Sequence, residues 1–231
     1  MKPYIILHNS ITLDGSLTGF MPDMELHYRL AGSLSADAHL IGSETIIAGQ
    51  ELFGEDIPEE VAGDFEVPAR NRELPLWVLV DSAGRLMGLL HTCRRFEYCR
   101  DVVVLVSEDT PETYIRHLEE RHYGYIRTGT GKVDLRTALD ILSEQYGVRR
   151  IMTDTGRILG NILLNEGLVD EISLLVHPRI KGDGSYNIFG SIESEIDLSL
   201  AKEERFENGC IWSVYKIKSR QTLQDGRDTG Q

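Results

Sequence analysis

Cysteine is scarce in this 231-residue sequence: Cys93, Cys99 and Cys210 make an odd count with no Cys-x-x-Cys pair. That argues against a disulfide framework or a zinc site, and for packing thiols in a reducing cytoplasm. Long apolar runs are missing too. No stretch nears the roughly 18 continuous apolar residues of a membrane helix, and the opening run at residues 4–8 is too short for a signal peptide, so it reads as a strand. Positive charge is in deficit, with 24 Lys and Arg against 37 Asp and Glu and a net charge of −13. Nucleic acid is therefore not an expected partner, although local amides and one or two Arg can still hold a small anion. The seven histidines are scattered with no His-x-His, His-Glu-x-x-His or triad-like grouping, and Gly-x-Ser-x-Gly is absent, which leaves hydrolase and metal chemistry without support. His117 and His122 are expected on a solvated helix face, and His8 at the end of the first strand.

What is present is ordinary for a globular α/β chain: 41% hydrophobic and 26% charged residues, and enough length to bury a core unaided. Short non-alternating apolar runs at 4–8, 38–41, 76–80, 102–106, 150–152 and 172–176 predict strands covered on both faces. Between them lie helices. Thr110-Pro111-Glu112 predicts a cap, a first-position proline and a first-turn acid for a helix ending near Gly124. Asp134 predicts the cap of another, with Leu135, Ala138, Leu139 and Leu142 at helical spacing and Gly147 closing it. A third is expected over 156–166, with Gly167 left-handed behind it. Residues 198–206 and 211–217 around Asn208-Gly209 predict an antiparallel hairpin. The acidic stretch 49–72 reads as a surface excursion. The expected organisation is one domain over 1–218, a mostly parallel sheet finished by the hairpin, with a polar tail over 219–231.

Four strand ends carry residues suited to ligands. Asp154-Thr155-Gly156-Arg157 joins a strand to a helix start, where backbone amides favour phosphate and Gly permits close approach. Arg157 there opposes the helix dipole unless an anion is near; the alternative is that Asp154 or Thr155 caps the helix and Arg157 faces water. Asp14-Gly15 is either a plain turn or a carboxylate placed beside a ligand at a strand's C-terminal end. Ile41-Gly42-Ser43-Glu44-Thr45 is a strand running into a helix start. Val80-Asp81-Ser82-Ala83-Gly84-Arg85 delivers a Ser and an Arg to one loop, a pair suited to a phosphate monoester. The Rossmann Gly-x-Gly-x-x-Gly pattern is absent.

Taken together, these segments resemble the reductase domain of riboflavin biosynthesis. The matching residues are Thr12-Leu13-Asp14-Gly15, Ile41-Gly42-Ser43-Glu44-Thr45, Val78 through Leu86, and Gly167-Leu168-Val169-Asp170-Glu171 followed by His177-Pro178. The resemblance spans residues 3–217 and implies a dihydrofolate-reductase-like fold, NADPH as hydride donor, and a ribosylamino-pyrimidine 5′-phosphate whose ribose becomes a ribityl chain. It implies cofactor contacts from Gly42, Ser43, Thr45, Ser82, Arg85, Thr155, Gly156 and Arg157. Asn9, Thr12, Asp14 and Asp154 would face substrate, with Asp14 or Asp154 assisting proton transfer. A homodimer is also implied, its terminal hairpin edge needing cover. Two segments depart from the family pattern. Its usual Glu-Gly-Gly-Gly is Asp154-Thr155-Gly156-Arg157 here, and its Asp-Asp-Pro-x-Leu-Thr is replaced over 48–53. The zinc deaminase signature that some relatives carry has no Pro-Cys-x-x-Cys here. A reductase of another small carbonyl, imine or pterin, and a nucleotide-binding homologue without catalysis, are the alternatives.

Overall fold

The computed structural model describes residues 1–53 and 56–218, so the expected tail over 219–231 lies outside the described residues. Among these, nine strands form one sheet: β1 (Tyr4–Thr12), β2 (Ala38–Gly42), β3 (Leu76–Val80), β4 (Val102–Val106), β5 (Gly124–Arg127), β6 (Arg150–Thr153), β7 (Glu171–His177), β8 (Leu198–Arg205) and β9 (Ile211–Ile217). Their order is β5-β4-β3-β2-β6-β1-β7-β9-β8. The strands from β5 to β7 pair in parallel, and β9 and β8 close the sheet antiparallel. Six helices pack on it: α1 (Met24–Ser33), α2 (Ser43–Phe53), α3 (Leu90–Arg95), α4 (Glu112–Glu120), α5 (Leu135–Tyr146) and α6 (Arg157–Asn165).

The two covered faces explain the unbroken apolar runs. Ile5 and Leu7 of β1 pack with Leu139 of α5 and Leu163 of α6. Ile6, pointing the other way, joins Leu26 and Leu30 of α1 and Trp212 of β9. Farther along the same face, Val102 and Val104 meet Leu90 of α3 and Leu118 of α4. The capping of α5 is as expected: Asp134 accepts the Thr137 N–H at 3.1 Å, and Gly147 closes the helix at φ +70°. Gly167 likewise sits at φ +64° behind α6.

Other expectations need correction. The N-cap of α4 is Pro111, because the Thr110 hydroxyl is spent on the Ser107 N–H at 2.9 Å and the Ser82 carbonyl at 2.8 Å. In the β8–β9 turn only Gly209 has positive φ. The chain closes instead through Gly209 N–H on the Phe206 carbonyl at 3.0 Å, so this is not the two-residue Asn-Gly turn. α1, α3 and β5 carry no clear signal in the sequence. The buried face of α1 is only Leu26, His27, Leu30 and Ala31, a stripe too narrow and too polar to announce a helix.

Two features position the site. β1 runs on to Thr12, where β7 still pairs with it, but its pairing with β6 stops at Leu7 and Thr153. The two central strands therefore part at their C-terminal ends, the place where open α/β sheets take ligands. The stretch 49–72 begins as the end of α2, and its described residues 56–72 are mostly exposed, with Asp64 buried and arginines pinning them. Arg94, 3% exposed, bonds Asp101 at 2.9 Å and donates to the carbonyls of Asp64, Glu66, Arg121 and His122. Its guanidinium also lies 3.8 Å from the centre of the Tyr123 ring.

Candidate active site

A cavity of about 420 Å³ opens at the C-terminal ends of β2, β3 and β6, within the range of small-molecule sites. Seven of the eight residues expected to touch a cofactor line it: Gly42, Ser43, Thr45, Ser82, Thr155, Gly156 and Arg157. The helix starts of α2 and α6 are stitched together there. Thr155 Oγ1 accepts the Gly42 N–H at 3.3 Å and lies 3.5 Å from Thr45 Oγ1, which accepts the Gly156 N–H at 3.4 Å. A Cβ at Gly42 would stand 3.1 Å from Thr155 Oγ1, so the glycine permits this close approach.

Neither Asp154 nor Thr155 caps α6. Its N-cap is Gly156, which provides no side-chain hydrogen bond, so the positive end of the helix remains available to an anion. Arg157 is not a solvent-facing side chain either. It lines the cavity, its guanidinium 4.8 Å from the centre of the Tyr186 ring. Lys132 also lines the cavity. The loop after β3 is shaped by buried Asp81, which accepts the Arg85 and Leu86 N–H groups at 3.0 and 2.8 Å. Arg85, the eighth expected residue, is not in the cavity wall. Its guanidinium is paired with Glu44, which is.

On the sheet face covered by α1, the structure assembles a histidine cluster that no sequence motif announces. His39 Nε2 lies 2.8 Å from Asp154 Oδ1, and His27 Nε2 lies 3.8 Å from Asp154 Oδ2. His27 Nδ1 is 3.0 Å from Ser10 Oγ, and the His8 ring stacks on His27 at 4.6 Å. His8 Nδ1 is 2.9 Å from Ser173 Oγ, which also accepts the Trp212 indole N–H at 2.8 Å. Burial pushes the Asp154 carboxyl up, but His39 and His27 together outweigh it and hold the group far below the usual carboxylate range. Burial, with His27 adding to it, lowers His8 to about 4, so His8 is neutral near pH 7.

The remaining predicted residues divide. Asn9 is buried where β1 and β6 part. Its Nδ2, like Thr153 Oγ1, has no hydrogen-bond partner among the described residues, and such buried groups call for a ligand or water. Asp14, expected as a catalytic acid or base, is a turn residue. The Thr12 hydroxyl, the Gly182 and Lys181 N–H groups and the Ser16 hydroxyl all donate to its carboxylate. Those bonds, Thr12 first, hold it well below the usual range, and Gly15 completes the turn at φ +77°. Thr12 is itself fully buried and spent on this turn. His117, expected to be solvated, is half-buried with Nε2 unpartnered, whereas His122 is exposed. The three cysteines are free and buried, and no group of three or more potential ligands for a metal occurs among the described residues. No described helix is long and apolar enough to cross a membrane.

A mostly parallel α/β sheet with two helix starts converging on a cavity at its strand ends is the arrangement in which open α/β proteins take ligands. Residues 3–212 match the RibD C-terminal domain, and the chain belongs to that family. It is 30% identical over 191 residues to the 2,5-diamino-6-ribosylamino-4(3H)-pyrimidinone 5′-phosphate reductase of Methanothermobacter thermautotrophicus, covering 79% of this chain and 81% of that protein. It is 28% identical over 192 residues to the reductase of the same name from Archaeoglobus fulgidus, covering 79% and 83%. Among solved structures, a pyrimidine reductase-like protein from Corynebacterium diphtheriae shares the fold with a TM-score of 0.67 at 21% identity, over 94% of this chain and 92% of that one. The riboflavin biosynthesis reductase Rib7 of Saccharomyces cerevisiae does so at 0.66 and 17% identity, over 94% and 90%.

Proposed function

We propose that this protein is a reductase of riboflavin biosynthesis, converting the ribose of a ribosylamino-pyrimidine 5′-phosphate to a ribityl chain with hydride from NADPH. The observation that carries the reading is the junction of α2 and α6. Two helix starts, joined by Thr45 and Thr155 and flanked by Arg157, meet at one cavity. The residues fit a nicotinamide dinucleotide: the uncapped start of α6 and the cations of Arg157 and Lys132 suit its phosphates, and buried Asn9 Nδ2, near the strand parting, has no partner among the described residues. When bound, the dinucleotide supplies hydride. The chain supplies position, which accounts for much of the rate in such a transfer.

Reduction of a ribosylamine also needs a proton, delivered as hydride arrives at the sugar carbon. Asp154, ionised and held by His39 and His27, is proposed to orient the substrate and to keep an imidazole proton close by. Asp14 is not carried into this role, because its carboxylate is saturated by the turn. A second reading, reduction of another small carbonyl, imine or pterin, draws on the same cluster, since Asp154 stands where the family pattern has Glu. A homodimer is proposed from β8, which is exposed along its whole length at the sheet edge. A reducing, cytoplasmic setting is proposed from the free thiols. The deciding experiment follows NADPH oxidation with the pyrimidine phosphate as substrate. Saturable turnover is expected; binding of NADPH without turnover of that substrate removes the assignment.

A further inference from the structure

Tyr186 comes from a stretch with no motif, yet it lines the cavity with Gly156 and Arg157. Its ring centre lies 4.8 Å from the Arg157 guanidinium. A Cβ built on Gly156 would stand 3.7 Å from the Tyr186 hydroxyl, which sets that hydroxyl close to the uncapped start of α6. Gly190 also abuts the arginine, since a Cβ there would come within 3.4 Å of Arg157 Nη1. Residues 186–190 are therefore the seat of the Arg157 side chain.

That seat belongs to no helix or sheet strand. It is held from the opposite end of the chain, and Asp14 is at the centre of the hold. The Asp14 carboxylate accepts the Gly182 N–H at 2.9 Å and the Lys181 N–H at 3.2 Å. The Asn187 side-chain amide donates to the Asp14 carbonyl at 3.2 Å. Beside these, the Leu17 N–H donates to the Tyr186 carbonyl at 3.1 Å and the Ile188 N–H to the Gly15 carbonyl at 3.0 Å. The Ser185 hydroxyl donates to the Thr18 carbonyl at 2.9 Å. Tyr186 thus sits inside a seam between residues 14–18 and 181–188. The Thr12 hydroxyl, at the end of β1, donates to the same carboxylate, so the seam is anchored on the sheet. A carboxylate accepting several N–H and O–H groups is a strong tether, because each bond is charge-assisted. Asp14 does not itself line the cavity.

Resting on the reading of the cavity as a coenzyme site, we propose that Asp14 is a positioning residue: through this seam it fixes Tyr186, and with it Arg157, beside the phosphates at the start of α6.

The test combines coenzyme binding with amide exchange on the full chain. The Kd for NADPH is measured by fluorescence titration for the wild type, Asp14→Ala, Tyr186→Ala and the double variant. Each single change is expected to weaken NADPH about fivefold, and the double variant little more than either, because both remove one linked contact. Asp14→Asn keeps the shape and one acceptor oxygen; it is expected to weaken NADPH about twofold, and it takes the place of Asp14→Ala in the cycle if that variant does not fold. Hydrogen–deuterium exchange over 181–190, without ligand, is expected to quicken in the Asp14 variants. Single effects that multiply to about twenty-fivefold in the double variant overturn the inference, as does an unchanged Kd or an unchanged exchange rate on loss of the carboxylate. Failure of the wild type to bind NADPH overturns the reading of the cavity and the role toward phosphates, whereas quickened exchange then still assigns the tether to Asp14.

Discussion

His39 Nε2 lies 2.8 Å from Asp154 Oδ1, although 115 positions separate them in the chain. The pairing follows from the sheet order: β2 and β6 are neighbours, with His39 in register with Met152, and Asp154 follows two residues later on the same face. An acid in this surrounding stays ionised at any pH where the protein works. Its contribution depends on the imidazoles around it. Replacing it as Asp154→Asn keeps the shape and removes the charge. The expected result is a loss of about a hundredfold in kcat/KM with coenzyme affinity within about twofold. An unchanged kcat/KM removes Asp154 from the proposed role.

His8 makes a pH prediction. Its pKa falls from 6.5 to about 4 on folding, so between those values the unfolded chain binds the proton and the folded one does not. Stability from this group is therefore complete above pH 6.5 and is lost as pH falls toward 4, by about 3 kcal/mol in all. Urea unfolding at pH 7, 6 and 5 measures it. The variant His8→Asn should flatten the decline by about one proton; an identical slope in both proteins contradicts the assignment.

Gly42 and Gly160 offer a paired test of the cavity. An added Cβ at Gly42 meets Thr155 Oγ1 at 3.1 Å, whereas one at Gly160 meets Leu7 at an ordinary 3.6 Å. Gly42→Ala should push Thr155 and loosen the helix junction, raising the coenzyme Kd about fivefold. Gly160→Ala should leave Kd alone and raise stability by about 0.5 kcal/mol through the helix interior. Fluorescence titration and thermal melts read the two effects separately.

Arg157 should act on both coenzymes. It stands beside the uncapped start of α6, next to Tyr186, and the proposed reading sets it against phosphates common to NADH and NADPH. Arg157→Ala is expected to weaken each about tenfold. Unchanged Kd values for both would falsify the anion-binding role and leave only the ring contact with Tyr186.

Arg94 is a stability prediction remote from the cavity. Its removal leaves Asp101 and four carbonyls without their donor, a buried loss of about 3 kcal/mol. Arg94→Lys should not restore it, because one ammonium cannot reach donors spread over that fan. Urea melts should show the drop in both variants with the coenzyme Kd unchanged. A midpoint equal to wild type would mean that the excursion over 49–72 holds itself.

Much of the architecture was legible because its signals are local. Runs such as Val102 to Val106 can only be strands covered twice, and Asp134 and Gly147 mark the ends of α5 by their own side-chain and backbone chemistry. The turns that line the cavity were legible for the same reason. Gly42, Thr45, Thr155 and Gly156 belong to strand-to-helix turns, and a turn is written in a few adjacent residues. Whether Asp14 serves the turn is not decidable locally; the N–H groups of Lys181 and Gly182 that bond its carboxylate are brought in from the far end of the chain.

The sequence by itself determined the elements and the family pattern, since propensity, capping and motif order act over short spans. Only the tertiary structure decided what stands around Asp154. His27 comes from a helix with almost no apolar signature, His39 from a strand, and Asp154 from the end of another. Sheet order, a long-range property of packing, is what brings their side chains within hydrogen-bonding and ion-pairing reach. The same holds for Lys132 and Tyr186 on the cavity wall and for Glu44 on Arg85. Each is unremarkable in its own stretch of chain and gains its chemistry from a neighbour that only the fold supplies.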